Sequence, residues 1–282
     1  MADAVGAYRR AADLGYPAAQ LLLGDMYRQG TGVPQSATDA VHWVERASEQ
    51  GLAAAEIDLA LMYHNGIGVA KSDTIAAGLL RLAADKGVPE AQYLLGLSYD
   101  KGYGMPPSPT DAFHWYHLAA DQRHAEAEAS LGYMYLRGVG VQQSTPDGIE
   151  WTRRAADQRN GRAAFNLALS YATGNGVAQS DSEALRWYQV AAAQGILTAQ
   201  NNLGVFYRDG RGVAQSHAEA VNLFRQAAEK GDVMAQYNLA QAYETGQGVA
   251  ASHADAVAWY QKAARAGHKG AQDTLRRLNQ PW

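Results

Sequence analysis

The sequence predicts an all-α solenoid of helix-turn-helix repeats. Three observations carry this: an unbroken 36-residue period, an apolar stripe at helical spacing in each half of the period, and helix-ending and helix-starting residues between the halves. Ala19 returns as Ala55, Ala91, Ala127, Ala163, Ala199, Ala235 and Ala271. Tyr27 returns as Tyr63, Tyr99, Tyr135, Tyr171, Tyr207 and Tyr243. Gly30 and Gly32 recur in all seven repeats, as far as Gly246 and Gly248, and no insertion breaks the register.

The first helix of each repeat carries Ala19, Leu23 and Tyr27 at i, i+4 and i+8, one apolar stripe. Gly24 beside it is only ever Gly or Ala (Ala60, Gly96, Gly132, Ala168, Gly204, Ala240), which predicts a close helix–helix contact. Gly30 ends this helix, because Gly takes the left-handed conformation without a Cβ penalty. Ser36 then starts the second helix, with an acid three residues on. The pair recurs as Ser108/Asp111, Ser144/Asp147, Ser180/Glu183, Ser216/Glu219 and Ser252/Asp255, while Ser72/Ile75 departs from it. Pro109 falls at a first helical position, where its missing N–H is harmless. Ala40, Trp43 and Ala47 form the inward stripe of the second helix, and Gly51 follows its end, replaced by Arg123 and Arg159 in two repeats.

With 47% apolar and 18% charged residues the chain has enough apolar side chains to fold. The net charge is −4 and no run of Lys or Arg matches a phosphate backbone, so nucleic acid is not an expected partner. The absence of Cys excludes disulfides, Cys-ligated zinc and Cys nucleophiles. No apolar run approaches the roughly 18 residues that span a bilayer, and residues 1–20 have no signal-peptide core.

Together these positions spell A-x3-L-G-x2-Y-x2-G-x-G-V-x2-S-x3-A-x2-W-x3-A-A-x2-G, which resembles the Sel1-like repeat, a relative of the tetratricopeptide repeat. The match runs over residues 19–270 as seven repeats, after an N-terminal half repeat (1–18, second helix only) and before a C-terminal capping helix (271–282). The Ser36 position departs from the family's usual Asp or Asn, but all three are good caps. The resemblance implies a right-handed superhelix with the first helices lining a concave groove, and bacterial roles in protein–protein interaction, with periplasmic or extracellular placement favoured. It implies no cofactor. The expected function is a non-catalytic scaffold or adaptor that binds a peptide or protein segment in that groove. An inhibitor or immunity-type protein covering a partner enzyme or toxin is the alternative, and a β-lactam-binding or hydrolysing enzyme is a third. The repeat Ser would fall one residue before Met1, so the sequence reads as a fragment of a longer protein, a natural short start being the alternative.

On the first helix the side opposite the core carries Leu21, Asp25 and Arg28. The Leu21 position becomes Ile57, Tyr93, Ala129, Phe165, Asn201 and Tyr237, and the Asp25 position becomes Leu61, Leu97, Tyr133, Leu169, Val205 and Gln241. Two readings stay open: burial against neighbouring repeats, or a groove anchored by Tyr93, Tyr133, Phe165 and Tyr237 with Arg137 and Arg208 among mixed charges beside them. Asn166, Asn202 and Asn238 share one edge of that face, and as a ladder their carboxamides would hold an extended peptide backbone; local hydrogen bonds are the other reading.

Catalytic constellations are not expected. Ser98-Tyr99-Asp100-Lys101 has the Ser-x-x-Lys form without an accompanying Lys-Thr-Gly. His114 and His117, with His124 nearby, lack a clear third ligand, so no metal is expected. Every Gly-x-Gly ends a helix instead of following a strand, unlike a phosphate loop.

Overall fold

The computed structural model describes residues 2–282, with side chains from Val5 onward. Among these the chain has sixteen α-helices and no strand. They form two compact units, Met1–Ser144 and Thr145–Trp282. The first contains α1 (Ala2–Asp13), α2 (Pro17–Gln29), α3 (Ala37–Glu49), α4 (Ala53–Asn65), α5 (Asp73–Asp85), α6 (Pro89–Lys101), α7 (Pro109–Asp121) and α8 (Ala125–Arg137). The second contains α9 (Thr145–Asp157), α10 (Gly161–Thr173), α11 (Asp181–Ala193), α12 (Leu197–Asp209), α13 (His217–Glu229), α14 (Val233–Thr245), α15 (His253–Arg265) and α16 (Lys269–Arg277). The first helices of the repeats begin two residues ahead of the Ala19 register, with Pro17 and Pro89 at the first helical position of α2 and α6. The last helix stops at Arg277, and Asn279 turns to a positive φ of 52°.

The predicted stripes are the core. In the first unit Ala19, Leu23 and Tyr27 of α2 pack with Ala40, Trp43, Val44 and Ala47 of α3 and with Ala55, Leu59 and Met62 of α4. In the second, Val221, Phe224 and Ala227 of α13 pack with Ala235, Leu239 and Ala242 of α14. Each fully buried Leu contributes about 1.5–3 kcal/mol, and Leu23, Leu95, Leu131, Leu167 and Leu239 have no exposed surface. The Gly-or-Ala position is the tight contact within a repeat: a Cβ on Gly204 would stand 2.6 Å from the Phe224 ring, and one on Gly24 2.6 Å from Val44 Cγ2.

Between the helices the turn is closed by two hydrogen bonds. The Ser216 N–H donates to the Tyr207 carbonyl at 2.8 Å, and the Ser216 hydroxyl accepts from the Glu219 N–H at 3.3 Å. Ser72 caps α5 in the same way at 3.3 Å with Ile75 in place of the acid, so the Ser oxygen is enough. Gly30 ends α2 at φ 71°, its N–H bonded to the Met26 carbonyl. The second Gly of each turn meets the preceding repeat. Gly212 has φ 65°, and a Cβ there would stand 2.6 Å from the Asp181 carbonyl oxygen at the start of α11. Gly68, Gly104, Gly140 and Gly248 face Ala37, Asp73, Pro109 and His217 in the same manner.

Beyond the second helix a buried polar contact recurs. Gln50 donates to Gln20 at 2.7 Å, Gln122 to Gln92 at 2.8 Å, and Lys86 to the buried Glu56 at 2.6 Å. Arg123 and Arg159 adopt positive φ (65° and 63°) where the other repeats use Gly. Because a side chain in that region is strained by about 1–2 kcal/mol, Arg123→Gly and Arg159→Gly should each raise stability by about 1 kcal/mol in urea denaturation. Gly212→Ala should lower it by at least about 2 kcal/mol, since it adds a carbonyl clash to the same backbone strain.

Candidate functional site

The free faces of the first helices divide into half-buried and exposed positions. Tyr93, Phe165 and Tyr237 are half-buried. The Tyr93 ring stacks on His124 (centroids 4.8 Å, planes 23° apart) and lies 5.7 Å from Tyr116. Tyr237 stacks on His268 at 4.2 Å and lies 5.6 Å from Tyr260, and Phe165 lies 6.1 Å from Tyr188. These three rings therefore stand against the following helices, where a wheel drawn for one helix makes them look free. Each uses part of its surface in the fold and keeps part for solvent.

The Asp25 position is more open. Leu61 is 39% exposed, Tyr133 57% and Leu169 45%, with Leu97 and Val205 half-buried. Arg137 is exposed at the end of α8. Three cations beside this row stand in neighbouring opposite pairs: Arg28 with Asp25 at 2.5 Å, Lys101 with Asp100 at 2.8 Å, and Arg208 with Asp209 at 2.7 Å. The Arg208 guanidinium holds the Asp209 carboxyl below the usual carboxylate range. Asp58 is shifted upward, first by burial and then by the charge of Asp25.

The three Asn side chains are not equivalent. Asn166 is exposed. Asn238, 9% exposed, donates to Asn201 Oδ1 at 2.8 Å; Asn201 donates to Asn202 Oδ1 at 3.3 Å; and Asn202 donates to the Tyr188 hydroxyl at 3.3 Å. Burial pushes the Tyr188 phenol up, and the bond from Asn202 draws it back. Asn201, 5% exposed, is the reason for this relay: a carboxamide buried among apolar neighbours needs partners, and Asn202 and Asn238 supply them. Asn201 was legible only as one more member of the Leu21 position, and its polarity there was the signal.

In the second unit Arg208 and Asn238 do meet, at a cavity of about 220 Å³. Its other lining residues are His217, Ala220, Val221 and Phe224 of α13, Gln241, Ala242 and Thr245 of α14, and Gln247. His217 Nδ1 is buried there without a hydrogen-bond partner.

The Ser98 hydroxyl donates to the Leu94 carbonyl at 2.9 Å, and Lys101 faces Asp100. His117 pairs with Asp121 at 3.0 Å and His124 with Glu90 at 2.9 Å, and among the described residues no three His, Asp or Glu side chains gather as metal ligands. No helix among them is long and apolar enough to cross a membrane.

The Sel1 repeat family matches residues 17–52, 53–88, 89–124, 125–160, 161–196, 197–232 and 233–268. A protective antigen of uropathogenic Escherichia coli with an SLR fold is 35% identical, with a TM-score of 0.91 over 97% of this chain. The chain spans 59% of that protein's length. A Sel1 repeat protein from Oxalobacter formigenes is 34% identical, with a TM-score of 0.80 over 98% of this chain and 80% of its own. No curated protein matches the chain in sequence.

Replacing Asn238 by Ala strands the Asn201 carbonyl in a buried place and should cost about 1–3 kcal/mol. Asn166→Ala, at an exposed position, should stay within about 0.5 kcal/mol of the parent. Thermal and urea unfolding of the two single variants will measure the difference.

Proposed function

Because the chain belongs to the Sel1 repeat family, whose members are generally protein-interaction scaffolds, we propose that it is a non-catalytic adaptor that binds a peptide or protein segment along the free faces of its first helices. The observation that carries the proposal is the row of apolar side chains at one repeat position, with Leu61, Tyr133 and Leu169 each 39% exposed or more. Core stripes of the same helices are covered almost completely, so this row is not leftover core. Exposed apolar side chains repeated at fixed spacing provide anchors for a partner. The paired charges beside the row leave little net field, which favours a segment held by apolar contacts and main-chain hydrogen bonds over a strongly charged one. The net charge of −4 and the lack of a basic run favour a protein partner over nucleic acid.

Peptides selected on the full chain from a random display library give the test. The triple variant Leu61→Ser, Tyr133→Ser, Leu169→Ser should weaken the selected peptides by at least about tenfold, with unfolding close to the parent because all three side chains are exposed. Unchanged affinity in that variant would remove the first-helix row as the binding surface.

A further inference from the structure

The cavity in the second unit has a defined origin in the repeat. At the position of Ala242, the second, fourth and sixth repeats carry Met62, Met134 and Phe206, each buried to 4% exposure or less. Thirty-six residues before the Phe224–Ala242 pair stand Tyr188 and Phe206, whose rings meet edge to face at 5.2 Å. In the first unit Val44 and Met62, at the same two positions, share one core cluster. In those repeats the space is filled by an aromatic ring or an unbranched thioether, seated against the residue at the Phe224 position, while the third and fifth repeats carry Ser98 and Ser170. Ala242 is too short to fill it, and a cavity of about 220 Å³ is left beside Phe224, Val221 and Ala220. An apolar cavity of roughly 150 Å³ is already enough to take a benzene ring.

The remainder of the lining is polar: Arg208, His217, Asn238, Gln241, Thr245 and Gln247. Apolar wall and polar groups together suit one apolar side chain inserted from a peptide whose main chain crosses the carboxamides. A carboxylate is a poorer match, because the Arg208 guanidinium already makes two bonds to Asp209, at 2.7 and 3.2 Å.

We propose that this cavity is an anchor pocket for a single Phe- or Met-sized side chain of a bound protein segment, supplied in trans where other repeats supply Phe206 or Met134 in cis. The proposal rests on the protein-binding reading above and adds the identity of one anchor to it.

Two probes separate the pocket from the wider surface. N-acetyl-phenylalaninamide, titrated into the full chain and followed by NMR, should give saturable shifts at Ala220, Val221 and Ala242 with a Kd of about 1–10 mM, in the range of small-fragment binding. N-acetyl-alaninamide should bind at least about tenfold more weakly. Ala242→Met fills the space from within and should abolish the phenylalanine response. Ala242→Ser, which places there the residue found at Ser98 and Ser170, should keep it. Equal response to the two amides, or an Ala242→Met variant that is folded and still binds, overturns the pocket. The peptides selected for the adaptor test are then measured against Ala242→Met. A tenfold loss supports the anchor. Binding lost in the first-helix triple variant but unchanged in Ala242→Met overturns the anchor and leaves the adaptor reading standing.

Discussion

The fold depends on one close approach that recurs in five of the seven turns, between the second Gly of the turn and the backbone carbonyl of the first residue of the preceding repeat's second helix. Gly212 against Asp181 and Gly248 against His217 show it in the second unit, Gly68 against Ala37 and Gly104 against Asp73 in the first. A positive φ and a carbonyl in the path of any Cβ leave no residue but Gly. The contact ties a turn to a helix start, so both must lie at fixed places in successive repeats. An insertion between Gly30 and Ser36 would lift the turn off its neighbour or displace the cap from α3. The unbroken 36-residue register follows from this constraint more than from the core, which tolerates Leu79 and Leu223 in place of Trp.

Legibility in the sequence followed the range of the interactions. Caps, helix ends and inward stripes act within one helix or across one turn, and Ser36, Gly30 and the Leu23 stripe could be read directly. The role of Gly68, Gly104, Gly140, Gly212 and Gly248 could not, because the atoms that forbid a Cβ lie 31 residues earlier in the chain, as Asp181 does from Gly212. For Tyr93, Phe165 and Tyr237 the wheel of a single helix leaves burial and groove anchoring equally open. They are also packing residues, since Tyr116, Tyr188 and Tyr260 come from the second helix of the same repeat, 23 residues on. Asn202 and Asn238 turned inward for a similar reason, answering the buried amide of Asn201.

A longer period was also present and is visible only on stepping by two repeats. Arg9, Arg81, Arg153 and Arg225 stand 72 residues apart, and each donates to the hydroxyl of the Tyr 18 residues later: Tyr27, Tyr99, Tyr171 and Tyr243. The intervening repeats place Glu45, His117, Gln189 and Gln261 at the Arg position. From the second repeat onward residues at two positions alternate with the same beat, the first repeat departing from it with Met26 and Leu21. Met62, Met134 and Phe206 are large where Ser98, Ser170 and Ala242 are small, and Tyr93, Phe165 and Tyr237 are aromatic where Ile57, Ala129 and Asn201 are not.

That alternation bears on where a scaffold of this kind can hold a ligand. Positions fixed by the turn contact cannot vary without loss of the stack, so specificity has to come from positions that the stack leaves partly open. The Asp25 row is one such set, and it contributes exposed apolar surface with little geometric selectivity. The Ala242 position is different, because a small residue there faces the Phe224 ring and leaves a bounded space next to Asn238 and Arg208. Selectivity for a side chain requires walls on several sides. On this chain those walls arise at Phe224 and Ala242, where a short side chain stands opposite a large ring, whereas the other short residues of the series, Ser98 and Ser170, pair by position with Leu80 and Thr152.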